Sequence, residues 1–101
     1  MIILHITDKA AWAKARQAGL YRGDSLEKEG FVHCCLASQV DQVLEKWFLD
    51  PSDLIILEVE TDVLQAELVY ENLEGGQELF PHIYGPINLE AVVAARTLDS
   101  K

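Results

Sequence analysis

Three histidines, His5, His33 and His82, stand among apolar residues in a chain with few other reactive groups. Neutral imidazoles bind zinc, and three of them leave a fourth position open for water, so a hydrolytic metal centre is one chemistry they could carry. No H-x-x-x-H or C-x-x-C pair supports it, and isolated histidines are more often satisfied core or surface groups, so no residue is assigned to a metal. Cys34 and Cys35 adjoin His33, and a thiolate beside an imidazolium is a nucleophile. On a strand, however, His33 and Cys35 share a face about 6 to 7 Å apart, too far for a direct hydrogen bond. A small buried hydrophobe is the ordinary reading of each thiol. Neighbouring strand residues point to opposite faces, so no Cys34–Cys35 disulfide is expected either.

Most carboxylates, among them Glu27, Glu29, Asp41, Glu45 and Asp50, fall on polar helix faces or loops, where solubility explains them. Glu58, Glu60, Glu67 and Glu71 lie on expected strands. Glu71 is the best candidate for an acid/base or ribose-binding carboxylate, because it closes a strand just before a glycine-rich turn. Exposed edge charge is the ordinary alternative. The stretch Phe80-Pro81-His82-Ile83-Tyr84-Gly85-Pro86 is the stiffest in the chain. Ordering it costs little entropy, and His82 with Tyr84 offers flat surface and hydrogen bonds, which suits a pocket wall as well as it suits a stiff connector. Neither a phosphate-cradling glycine loop nor a nucleophile elbow is present.

The elements that must position these residues follow from patterning. Ile2 to Ile6 reads as a short buried strand. Thr7 is placed to cap a helix over 8–18, with Ala11, Trp12, Ala15 and Ala18 at helical spacing and Gly19 as its stop. Tyr21 to Gly30 reads as a surface loop holding at most one turn capped by Ser25. Phe31 to Cys35 is a second strand. Ser38 opens the clearest helix, on which Val40, Val43, Leu44, Trp47 and Phe48 form one apolar face and Asp50-Pro51 the end. Leu54 to Glu60 and Ala66 to Glu71 are strands, Gly75-Gly76 a turn, and Phe80 to Pro86 a stiff loop or edge segment, because proline breaks ladder pairing. Asn88 to Leu98 carries helix propensity, but its β-branched pair Val92-Val93 favours a final strand. The expected fold class is α+β: a mainly antiparallel sheet with two principal helices packed on it.

At 101 residues with 50% hydrophobic and 25% charged content, the chain is expected to be one ordinary globular domain over 1–101. A formal charge of −9 disfavours nucleic-acid and anionic-membrane partners. No apolar run approaches the ~20 residues of a membrane span, and the start lacks the pattern of a secretory signal. A cytoplasmic location is the resulting expectation.

Leu4-His5-Ile6-Thr7, Trp12, Gly19-Leu20, Ser25-Leu26, Gly30-Phe31-Val32-His33-Cys34-Cys35, Gln39-Val40 and Phe80-Pro81-His82-Ile83-Tyr84-Gly85-Pro86-Ile87 together resemble the bacterial and plant family known as domain of unknown function 952. That family usually has serine where this chain has Cys35. Its fold is similar to that of ADP-ribosyltransferases, in which a split antiparallel sheet with flanking helices clamps NAD. The motif order also resembles the RNA 2′-phosphotransferases of that superfamily. Those rely on several arginines, whereas this chain has only Arg16, Arg22 and Arg96.

The resemblance implies that His5 meets the nicotinamide-side ribose and that His33 sits near the bound nucleotide. With Glu71 as the carboxylate, these are the expected catalytic residues, and Thr7, Ser25, His82 and Tyr84 the expected cofactor-binding ones. NAD or another nucleotide-like small molecule is the implied ligand, and transfer or glycoside hydrolysis the implied chemistry. A non-catalytic interaction module is the alternative, and a metal-dependent hydrolase the third reading.

Overall fold

The computed structural model describes residues 1–47, 53–72 and 76–97. Its spine is a three-stranded antiparallel sheet in the order β1 (Ile2–Asp8), β4 (Leu54–Glu60), β8 (Val92–Thr97). The β1–β4 register sets His5 opposite Leu57 and Ile6 opposite Ile56. Period-two alternation divides the apolar side chains between two cores. Ile3 with Ile55, Leu57 and Val59 faces one of them, and Leu4 and Ile6 with Leu54 and Ile56 the other. Both faces of β1 and β4 are therefore covered, which is why these strands read as continuous apolar runs.

Helix α1 (Lys9–Ala18) lays Ala11, Trp12 and Ala15 on the first core. Its cap differs from expectation. Asp8, not Thr7, occupies the N-cap, and its carboxylate accepts from the Ala11 N–H at 2.7 Å. The reason is that β1 stays paired through Asp8↔Leu54, which keeps Thr7 inside the strand. Gly19 ends α1 at φ 91°, a left-handed conformation that costs glycine little, and its N–H bonds Ala15.

The segment expected to be a loop instead contains β2 (Leu20–Tyr21), paired with β7 (Ile87–Asn88), and a third helix, α2 (Gly23–Glu29). Ser25 lies inside this helix rather than capping it, and no side chain caps its start. Leu26 packs on the first core, Asp24 sits at the favourable end of the helix dipole, and Gly30 closes the helix at φ 90°. Local polarity concealed an element that one half-buried leucine anchors.

A second three-stranded sheet runs β3 (Val32–His33), β6 (Phe80–Tyr84), β5 (Glu67–Glu71). Here the expected stiff loop or edge is the central strand. Pro81 is accommodated because its carbonyl accepts from Cys34 N–H at 3.0 Å at the very end of β3, so its missing donor costs one terminal ladder bond. Strand β3 is shorter than the expected 31–35 because the chain changes sheets after Cys34. Cys35 exchanges two backbone bonds with Leu4, at 2.7 and 2.8 Å, stitching the two sheets together.

The helix expected from Ser38 starts as a 3-10 turn over Ala37–Gln39 and continues as α3 (Val40–Trp47), with Val40, Val43 and Leu44 on the second core. The expected contribution of Phe48 and the Asp50-Pro51 stop lie outside the described residues, as does Gly75 of the expected turn. The architecture is α+β with mainly antiparallel sheets and three helices rather than two. No helix among the described residues is long and apolar enough to cross a membrane.

Candidate functional site

Strands β1, β3 and β6 each contribute one histidine, and the sheet junction at Cys34-Cys35 brings the three together. His5 is buried, with Nδ1 2.5 Å from the carbonyl of His33 and Nε2 2.8 Å from the Tyr21 hydroxyl. A carbonyl only accepts, so Nδ1 carries the proton, and in the neutral ring Nε2 accepts from Tyr21. The Tyr21 hydroxyl also contacts Thr7 Oγ1 at 2.9 Å. Burial holds the His5 pKa down at about 4, against 6.5 ordinarily, and pushes that of Tyr21 up. Both His5 nitrogens are thus engaged by the protein, and this imidazole ties β1 to the His33 backbone and to Tyr21.

Replacing Tyr21 with Phe tests this chain of bonds. Loss of one hydroxyl leaves His5 Nε2 and the Thr7 hydroxyl without it, so Tyr21→Phe should cost about 1 to 3 kcal/mol in denaturant unfolding. An unchanged midpoint would show that the contacts carry no stability.

His33 and His82 form the second half of the site. They lie directly opposite in the β3–β6 ladder, with ring centroids 5.4 Å apart. Phe31 stacks on His82 at 4.4 Å and 21°, meets His33 edge-on at 4.7 Å and lies tilted against Tyr84 at 5.3 Å. Each of these two histidines holds a carboxylate. His33 Nε2 is 2.5 Å from Glu29 and His82 Nδ1 is 2.9 Å from Glu71, whose same oxygen accepts from the Tyr84 hydroxyl. The Tyr84 and His82 bonds draw the Glu71 pKa below its usual value, and the carboxylate pushes that of Tyr84 up. Glu71 therefore stands ionised at neutral pH. It orients His82 with Nδ1–H as donor, leaving Nε2 without a protein partner among the described residues. That nitrogen can take a proton from a bound hydroxyl or accept a hydrogen bond from it.

These groups border a cleft of about 1370 Å³, into which His5, Thr7, Ser25, His33, Glu71 and His82 all contribute. Tyr84, expected to bind ligand, is not among its lining residues and acts on it through Glu71. The strand carboxylates Glu58 and Glu60 are engaged elsewhere, with Arg96 and the N-terminal amine, each at 2.7 Å. Cys34 and Cys35 are free and buried. Burial raises both thiol pKa values, that of Cys35 to about 11, so neither is a thiolate nucleophile at neutral pH. Among the described residues no three His, Cys, Asp or Glu side chains are arranged to hold a metal ion.

Sequence reasoning passed over Tyr21, Glu29 and Phe31. Glu29 looked like solvent charge because its partner His33 lies beyond the Gly30 reversal. Tyr21 became informative only once β2 was seen to lie within hydrogen-bonding reach of β1. Gln39 was also unassigned: its side chain bonds Leu36 N–H, the Leu79 carbonyl and Glu78, fixing the segment that enters β6.

The model of the family described as protein of unknown function, DUF952, matches residues 6–95. The chain belongs to the DUF952 family. The DUF952 chain is also similar to solved structures of protein CC0527 from Caulobacter crescentus. The crystal structure is 29% identical, covers 100% of this chain and 89% of that one, and superposes with a TM-score of 0.89. The solution structure is 30% identical over 99% and 86% of the two chains, with a TM-score of 0.84. No curated protein matches the DUF952 chain.

Proposed function

We propose that the cleft binds NAD or another nucleotide-like small molecule on an ADP-ribosyltransferase-like framework of split sheets and flanking helices. The observation that carries this reading is the gathering of His33, His82 and Glu71 from three strands at one cleft, beside an aromatic wall built on Phe31. A flat base suits such a wall, and ribose hydroxyls suit an ionised carboxylate and an unpartnered imidazole nitrogen. In a glycosyl transfer or hydrolysis, Glu71 would stabilise positive charge developing at the ribose, and His82 Nε2 would accept the proton of the attacking hydroxyl.

Relative to the assignment that the family resemblance implied, the roles shift within the site. Glu71 and His82 face the ligand, His33 flanks it, and His5 and Thr7 support from below through Tyr21.

The test is a melting series with NAD, nicotinamide riboside and adenosine. A ligand at 100 times its Kd should add about 2.7 kcal/mol to stability, read as a rise in Tm that His82→Ala abolishes. No shift by any of the three at millimolar concentration would overturn the reading and favour an interaction module.

A further inference from the structure

The charge of the cleft is one-sided. Five carboxylates line it, Asp8 and Asp24 near α1 and α2, Glu29 at the end of α2, Glu71 on β5 and Glu78 before β6. Lys46 is the only lysine or arginine among its described lining residues. Among the described residues none of the five forms an ion pair with lysine or arginine. Glu29 and Glu71 face histidines, Glu78 bonds the amides of Gln39 and Gln42, and Asp8 caps α1. The potential is therefore negative where a ligand would sit, and low-dielectric walls focus it. A second observation points to a ligand independently of that charge. His82 has a side chain 7% exposed, sits in the wall of the cleft, and has Nε2 unpartnered among the described residues.

We propose that the cleft selects a nucleoside with a positively charged base and no phosphate, in preference to a nucleotide or dinucleotide. This rests on the reading of the cleft as a nucleotide-like site and narrows it. A cationic ring is attracted by the carboxylates and by the aromatic wall of Phe31. The ribose hydroxyls then have Glu71 and His82 Nε2 as partners. A pyrophosphate, by contrast, would bring two negative charges among five others, and no arginine is among the described lining residues to clamp it.

The experiment compares three probes by calorimetry on the whole protein at low salt: nicotinamide riboside, its 5′-phosphate and NAD. The riboside is expected to bind at least tenfold tighter than either phosphorylated probe. The advantage should shrink on raising salt from 0.05 to 0.5 M, where screening shortens the reach of the carboxylates. Asp24→Asn combined with Glu78→Gln, two exposed positions, should weaken riboside binding and leave NAD binding unchanged or stronger. Circular dichroism of this variant, expected to match the parent, separates charge loss from misfolding. Equal or tighter binding of NAD overturns the proposal while leaving the nucleotide-like reading intact. Binding of no probe overturns both.

Discussion

Between pH 7.5 and pH 4.5 the protein should lose about 2 to 3 kcal/mol of stability through His5 alone. The cause is the buried ring, whose pKa in the fold is about 4 against 6.5 unfolded. Well above pH 6.5 the imidazole is neutral in both states and contributes no pH dependence. As pH falls below 6.5 the unfolded chain binds a proton that the folded chain refuses, so stability drops until the folded ring itself protonates near pH 4. The refusal has a structural origin. His5 is surrounded by Tyr21, Thr7 and the His33 backbone, with no carboxylate to stabilise an imidazolium.

Glu60 and Glu71, whose pKa values are lowered in the fold, are stabilising above their unfolded values and lose that contribution chiefly below pH 4.5, outside this window. Urea denaturation across pH 4.5 to 7.5 measures the slope. His5→Asn, which retains an amide donor for the His33 carbonyl, should flatten it. A wild-type curve with no slope, or a variant with the same one, would show that this imidazole is not the titrating group.

The same histidine shows how far the sequence could be read. Its strand and its burial follow from an apolar run with one polar residue inside it. Its supporting role does not, because that depends on Tyr21 and the His33 carbonyl arriving from β2 and β3, and no local pattern records those approaches. The strand Leu54–Glu60 was legible for the same reason as β1, because β-branched runs have few other stable homes. The final strand, read over 88–98 from Val92-Val93, spans Val92–Thr97 and follows a 3-10 turn at Leu89–Ala91. What failed was polar or proline-bearing sequence. Helix α2 has one anchoring leucine among charged residues, and β6 has a proline whose harmlessness depends on where β3 stops. In both cases tertiary context outweighed the local signal. Glu71 was singled out by its position at a strand end. Its partners His82 and Tyr84 emerged only from the register, which pairs Glu71 with Phe80 and so puts Glu71, His82 and Tyr84 on one face, where the long side chains reach one another.

That shared face depends on Phe31, and removing its ring should have the largest effect of any substitution in the site. Phe31 is 7% exposed and touches the rings of His33, His82 and Tyr84. Phe31→Ala deletes a buried aromatic and should cost about 3 to 5 kcal/mol, read from the unfolding midpoint. Stability alone does not separate packing from function, so Phe31→Leu is the informative partner. Leucine restores most of the apolar volume and should recover most of the stability, but it offers no ring to stack on His82 or to face a ligand. Aromatic pairs contribute about 0.5 to 1.5 kcal/mol beyond their buried area. Riboside affinity in Phe31→Leu should therefore fall roughly two- to tenfold, and the His82 ring resonances should move as the neighbouring ring current disappears. A leucine variant with parental affinity and unmoved His82 resonances would assign Phe31 to the core alone and leave His82, with Glu71 behind it, as the whole of the proposed recognition surface.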